Sequence, residues 1–135
     1  MSVRTVRKAI ATLTAALTLA GGAVVASATT ASAATCYGGE SYFSSGNYYF
    51  PESSTGRLTT TSRCGDINVR FTNNIITPSR KVRVCFYPSS GSAYCQSSYT
   101  TVYGGSWGVV ADDVLDGTKF RLQFESGWVQ GYWAA

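Results

Sequence analysis

The chain has 135 residues, with 11 Lys and Arg against 7 Asp and Glu, and no His. The missing His removes the usual base of a nucleophilic triad and a common ligand of zinc sites. Three of the cations, Arg4, Arg7 and Lys8, lie at the very start; the rest of the chain is nearly neutral, without the basic excess that displaces counterions from nucleic acid.

Those three cations head an uncharged stretch, residues 9–28, made almost wholly of Ala, Leu, Val, Thr and Gly. "ASA-A" follows, with Ala31 and Ala33 at the −3 and −1 positions of a cut before Ala34. This pattern predicts a secretory signal over 1–33 and a single secreted, extracellular β domain over 34–135, with no membrane anchor after cleavage. Thr35 before Cys36 argues against a lipoprotein, where a small residue is expected. About a hundred residues remain, enough for one domain with one modest core.

Residues 35–65 are rich in Ser, Thr, Gly and Tyr, and read as a loosely structured arm with one short strand at 48–50. Beyond them the apolar period is two. "DINVRFT" alternates Ile67, Val69 and Phe71 with Asp66, Asn68 and Arg70. "KVRVCFY" alternates Val82, Val84 and Phe86 with Lys81, Arg83, Cys85 and Tyr87. "TKFRLQF" alternates Phe120, Leu122 and Phe124 with Lys119, Arg121 and Gln123. Each is a strand with one buried face. Less regular strands are expected at 97–103, 107–111 and 128–133. The turn clusters "SSGN", "PESSTG", "TNN", "PSSGS", "YGGS" and "DG" separate them, and Pro51, Pro78 and Pro88 sit where strands should start or stop. About seven short strands predict an all-β, antiparallel β-sandwich, immunoglobulin-like or a similar Greek key, with a closed barrel as the runner-up. In an immunoglobulin-like order the strands at 81–87 and 118–124 are neighbours. Their shared outer face then carries Lys81, Arg83, Tyr87, Lys119, Arg121 and Gln123.

All four cysteines, Cys36, Cys64, Cys85 and Cys95, follow the leader. An even count in a small exported domain reads as two disulfides, and no Cys-x-x-Cys redox or zinc spacing is present. Of three possible pairings, Cys36–Cys64 and Cys85–Cys95 is favoured because the second pair flanks one turn.

Catalysis is not expected. Lys81 and Lys119 fall on outward strand positions, Glu40, Glu52, Asp112, Asp113 and Asp116 fall in turns, and Glu125 ends a strand. No opposed carboxylate pair stands out, and no cofactor is implied. The acidic stretch "ADDVLDGTKF" half-resembles the calcium motif of βγ-crystallin domains. Asp112 and Asp113 fit that motif, but Asp116 and Gly117 replace its closing pair. Asp112, Asp113 and Asp116 are therefore weak metal candidates, and a tight turn at Asp116-Gly117 is the preferred reading.

Aromatic residues crowd both ends of the domain: Tyr37, Tyr42, Phe43, Tyr48, Tyr49 and Phe50, then Trp128, Tyr132 and Trp133. Arg83, Tyr87, Arg121, Trp128 and Tyr132 are the candidate binding residues, since Tyr, Trp and Arg anchor interfaces and stack on sugars. The leading expectation is a non-catalytic protein-interaction module of inhibitor or adaptor type. A glycan- or cell-wall-binding module comes second, and a small extracellular hydrolase third.

The segments "SRCGDINVRF", "VRVCFYPSSGSAYCQSSYT", "WGVVADDVLDGTKFRLQF" and the closing "YWAA", with the Ala-rich leader, resemble small secreted two-disulfide proteins of actinomycetes with no described activity. The resemblance covers nearly all of 36–135 and implies location and fold, not a reaction. Secreted α-amylase inhibitors share the size and disulfide count, but their Trp-Arg-Tyr triplet is missing here. Adaptor subunits of secreted toxin particles are also small exported proteins, with no motif shared.

Overall fold

The structure, a computed structural model, describes residues 35–72 and 78–135. The expected signal segment and the "NN" of the "TNN" turn lie outside the described residues. Among the described residues ten strands run in the order β1 (Ser41–Ser45), β2 (Tyr49–Phe50), β3 (Leu58–Thr59), β4 (Ile67–Phe71), β5 (Ser79–Phe86), β6 (Tyr94–Cys95), β7 (Thr100–Tyr103), β8 (Trp107–Ala111), β9 (Lys119–Phe124) and β10 (Val129–Ala134). They form two antiparallel sheets. One has the order β1-β10-β4-β8. In the other, β9 and β5 are central; β2 and β3 flank the two ends of β9, and β6 and β7 flank the two ends of β5.

The three strictly alternating segments become β4, β5 and β9, and their apolar residues all point between the sheets. Phe43, Ile67, Val69, Phe71, Val82, Val84, Val102, Val110, Phe120, Leu122, Phe124 and Val129 form one buried cluster. Burying a side chain of this kind contributes about 1.5–3 kcal/mol, so a dozen of them make the core the dominant stabilising term. Phe43 is its hub: the ring stacks on Phe124 at 5.6 Å and meets Phe71 edge-on at 6.1 Å and Phe50 at 5.4 Å.

The fold is the antiparallel sandwich read from the sequence, with ten strands rather than seven. The expected neighbours pair directly, with Arg83 opposite Gln123 and Cys85 opposite Arg121. The three added strands beyond those expected are β1, β3 and β6. They belong to segments too short or too polar to show a period. Residues 35–65 are not a loose arm: β1 pairs along its whole length with β10, and β2 and β3 pair with β9. Ser45 illustrates why the pattern was hidden. It is buried at an inward position, and its hydroxyl proton is shared between the Tyr49 carbonyl at 2.9 Å and Glu52 Oε1 at 3.1 Å.

Both disulfides follow the favoured pairing. Cys85 and Cys95 face each other across β5 and β6, and Cys36–Cys64 ties the segment before β1 to the segment before β4. Pro51 directly follows β2 and Pro78 directly precedes β5.

Strands β10 and β4 approach closely at Gly131, where a Cβ would overlap the Arg70 carbonyl and lie 2.9 Å from Phe71 Cα. Both obstacles are backbone, so neither can rotate away. Gly131→Ala is expected to destabilise the domain by about 3 kcal/mol or more. Gly46→Ala, whose Cβ would meet only side-chain atoms at 3.8 and 4.0 Å, should change stability by less than about 1 kcal/mol. Thermal denaturation of the two variants checks the contrast.

Candidate functional site

The outer faces of both sheets are rows of arginine and aromatic side chains. On the β1-β10-β4-β8 sheet, register aligns Tyr42, Tyr132, Arg70 and Trp107 across four strands. The Arg70 guanidinium lies 4.7 Å from the Tyr132 ring centre and 5.0 Å from that of Trp107, and its Nη2 donates to both Glu40 oxygens at 3.0 Å. Tyr37 stacks on Trp107 at 4.6 Å, nearly parallel. Tyr42 meets Tyr132 edge-on at 5.5 Å. The rings of this row are thus engaged with one another and with Arg70, and Tyr132 takes part as a structural member of the row.

The other sheet repeats the theme. Arg121 packs on Tyr49 at 4.6 Å, Arg83 on Tyr99 at 4.7 Å, and Arg57 on Tyr87 at 3.5 Å. The basic face expected here is present in register but is largely spoken for. Arg121 is only 8% exposed, because the chain between β2 and β3 returns over it; its guanidinium donates to the Pro51 carbonyl at 2.8 and 3.2 Å and to that of Glu52 at 3.4 Å. Arg83 donates to Gln123 Oε1 at 2.8 Å and to the Gln96 carbonyl at 3.0 Å. Lys81 pairs with Glu125 at 3.0 Å. Arg83 and Arg121 therefore each make hydrogen bonds inside the fold, which alternation alone could not reveal. Each such bond to a charged donor contributes about 1.5–3 kcal/mol where it is protected from water.

What remains unpaired gathers at the two ends of the sandwich. At one end the loop 112–117 between β8 and β9 stands beside the turn after β5. Two adjoining hollows, of about 490 and 330 Å³, share Phe86, Tyr94, Leu115 and Thr118. The first adds Tyr87, Pro88, Asp116 and Lys119, and the second adds Asp112, Asp113 and Val114. Leu115 is 81% exposed and Tyr94 59% exposed. Yet the loop that carries Leu115 is held firmly. The Val114 amide donates to the Gly65 carbonyl at 2.9 Å and the Gly117 amide to that of Thr60 at 3.0 Å. The Leu115 carbonyl accepts from the Thr60 and Thr118 hydroxyls, both at 2.7 Å, and from the Thr118 amide at 3.3 Å. Gly117 has φ of 77° and Asp113 of 52°, the left-handed region that Gly adopts freely and Asp tolerates. Thr60, buried at the end of β3, is thus the clasp of the loop.

The weak metal candidates are part of this loop and all are exposed. Among the described residues the one set of three possible ligands lying close together is Cys36, Cys64 and Asp66, and its two cysteines are joined in a disulfide. The turn reading of Asp116-Gly117 agrees with the geometry of the loop.

At the opposite end lie Trp128, Tyr48 and Arg80, beside a hollow of about 270 Å³. The turn between β1 and β2 that supports this end is closed by Glu52, whose Oε1 accepts from the Gly46 amide at 2.7 Å and the Ser45 hydroxyl at 3.1 Å. The Gly46 amide first, and then the Ser45 hydroxyl, hold the Glu52 carboxyl below its ordinary range. This cap favours the folded state above the ordinary carboxyl pKa and loses that effect as pH falls through the lowered value. A depressed carboxyl is the opposite of what a general acid requires.

No protein-family model matches the chain, and neither a curated protein nor a solved structure shows significant similarity to it. Among the described residues no helix is long and apolar enough to cross a membrane.

Sequence reasoning missed Leu115 and Tyr94. The signal was available as "VLD", two apolar residues among turn-forming acids, where a turn alone has no need of them.

The clasp is testable. Thr60→Val keeps the volume but deprives the Leu115 carbonyl and the Thr118 amide of a partner. It should lower stability by about 1–3 kcal/mol in chemical denaturation. Thr60→Ser, which keeps the hydroxyl, should retain most of it.

Proposed function

We propose that the domain is a non-catalytic extracellular docking module that seizes an extended, basic and apolar segment of a partner protein at the end bearing Leu115. One observation carries the reading: Leu115 is 81% exposed on a loop held at three backbone points, the Val114 and Gly117 amides and the Leu115 carbonyl. An apolar side chain held out to water on a rigid support costs little further ordering when a partner covers it. The hollows beside it, walled by Phe86, Tyr87, Pro88 and Tyr94, offer the aromatic surroundings in which interface anchors cluster. Tyr87, a binding candidate from the sequence, is half-buried under Arg57 and lines the first hollow, which supports including it in this surface.

Charge selects the partner's character. Asp112, Asp113 and Asp116 line these hollows against one lining cation, Lys119, and none of the three is in an ion pair with a described residue. A segment that places an apolar side chain against Leu115 with Lys or Arg beside it would satisfy both features. The chain lacks His and both cysteine pairs are closed, which supports a binding role over a nucleophilic one. Two disulfides in so small a domain fit an oxidising, extracellular setting.

Selection of peptides from a random display library on the immobilised domain tests this. The expected consensus is an apolar residue flanked by Lys or Arg, with affinity lost at least about tenfold in Leu115→Ser and weakened in Asp112→Asn/Asp116→Asn. Because these side chains are exposed, melting temperatures should not move. An acidic consensus, or undiminished binding to Leu115→Ser, contradicts the proposal.

A further inference from the structure

The opposite end of the sandwich carries a different set of free groups. Trp128 is 84% exposed and has φ of 58°. The left-handed region is unfavourable for a bulky residue, and such strain persists only where the surroundings impose it. The surroundings here are visible. A Cβ on Gly127 would lie 2.8 Å from the Gly46 carbonyl oxygen, so the β9–β10 turn is pressed onto the β1–β2 turn with no room for a side chain between them. The Phe124 amide donates to the Tyr48 carbonyl at 2.8 Å, and Val129 on the far side is buried. Trp128 is thereby fixed between two anchored points with its indole turned out to water.

That indole is unlike the ring systems of the two sheet faces. Tyr37, Tyr42, Trp107 and Tyr132, and Tyr49, Tyr87 and Tyr99, each meet another ring or a guanidinium. Among the described residues Trp128 meets neither, and its flat face is free. It borders the 270 Å³ hollow together with Ser44, Thr72, Arg80 and Gln130, over a floor that includes Phe71 and Val129. Arg80 occupies an inward position of β5, two residues before buried Val82, at the mouth between the sheets. Among the described residues its guanidinium has no ion-pair or hydrogen-bond partner. An open aromatic face beside hydroxyl, amide and guanidinium groups is the chemistry that holds a pyranose ring. The ring's C–H face stacks on the indole and its polar substituents meet the donors. The unpaired cation adds a preference for a carboxylate.

We propose that Trp128 and Arg80 form a binding site for an acidic saccharide, distinct from the protein-docking end and independent of it. A pyranose lies on the Trp128 indole, and its carboxylate pairs with Arg80. Thr72 donates to the Gln130 carbonyl at 3.2 Å and Gln130 Nε2 to the Ser44 hydroxyl at 3.5 Å, and the remaining hydrogen-bonding capacity of Ser44, Thr72 and Gln130 meets the sugar hydroxyls. The backbone strain at Trp128 is the cost of presenting the ring.

The test uses uronic-acid oligosaccharides and neutral gluco-oligosaccharides of matched length, titrated into the folded domain by calorimetry. The indole N–H resonances are followed by NMR. Binding of the acidic series, with the Trp128 signal shifting most, is expected. Trp128→Asn should reduce that binding at least tenfold while the melting temperature stays at or above that of wild type, because Asn adopts this backbone more readily. Arg80→Met should erase the preference for acidic over neutral sugars. Leu115→Ser should bind the saccharide as wild type does. The proposal is overturned if neither series binds, if neutral sugars bind as tightly as acidic ones to wild type, or if Trp128→Asn binds undiminished.

Discussion

Everything in this domain hangs on the antiparallel pairing of β5 with β9. Five residue pairs in register, from Val82 opposite Phe124 to Phe86 opposite Phe120, set both faces of the sheet at once. The inward set, Val82, Val84, Phe120, Leu122 and Phe124, is buried and supplies five of the fourteen buried residues of the core cluster. The same register puts Arg83, Cys85, Arg121 and Gln123 outward. A slip by one residue would send every one of these to the wrong side. The pair also fixes the two ends of the molecule. Beyond Phe86 and before Lys119 lie the Tyr87 turn and the Leu115 loop; Arg80 and the Trp128 turn lie at the other end of the same two strands.

A domain with eight Lys and Arg against seven Asp and Glu over residues 34–135, and so many rings, faces a problem of surface chemistry. Both sheets have outer faces that need covering without creating an apolar patch. The solution on each face is to lay guanidinium groups against aromatic rings. Arg70 sits between Trp107 and Tyr132, and Arg121, Arg83 and Arg57 lie on Tyr49, Tyr99 and Tyr87. Such contacts are worth about 0.5–2 kcal/mol each, the upper figure where water is excluded. They also occupy the ring faces, which removes the sheets as flat platforms. The two most exposed large apolar side chains among the described residues, Trp128 and Leu115, stand at the ends of the sandwich, on loops that a rigid scaffold positions.

The sequence made some of this legible and hid the rest for physical reasons. Period-two alternation exposes a strand only when it is long enough and has one buried face. β4, β5 and β9 meet that condition, and β8 was placed with its observed bounds. β3 and β6 have two residues each, too few for any period; β2 is as short and is legible only as the irregular strand expected at 48–50. In β1 a buried Ser stands where an apolar residue would have completed the pattern. The disulfide pairing was readable because residues 85 and 95 flank one turn. The burial of Arg121 was not, because what covers it is the chain around Pro51 and Glu52, some seventy residues away in sequence. Trp128 is a candidate by residue type alone, and Tyr87 by residue type together with its outward position in the alternation. Leu115 is hidden because the acids on either side of it read as a turn or a metal loop, to which a leucine adds no signal.

The central claim is that the loop 112–117 is a preformed support that holds Leu115 out to solvent, not a flexible turn that happens to carry a leucine. Amide hydrogen exchange in the free domain, resolved by NMR, tests it most directly. The Val114 and Gly117 amides donate to the Gly65 and Thr60 carbonyls, and the Thr118 amide to the Thr60 hydroxyl and the Leu115 carbonyl. The account predicts that these three amides exchange slowly, with protection approaching that of β9, while the neighbouring Asp116 amide exchanges fast. Exchange of Val114, Gly117 and Thr118 at the rate of an unstructured chain would contradict it.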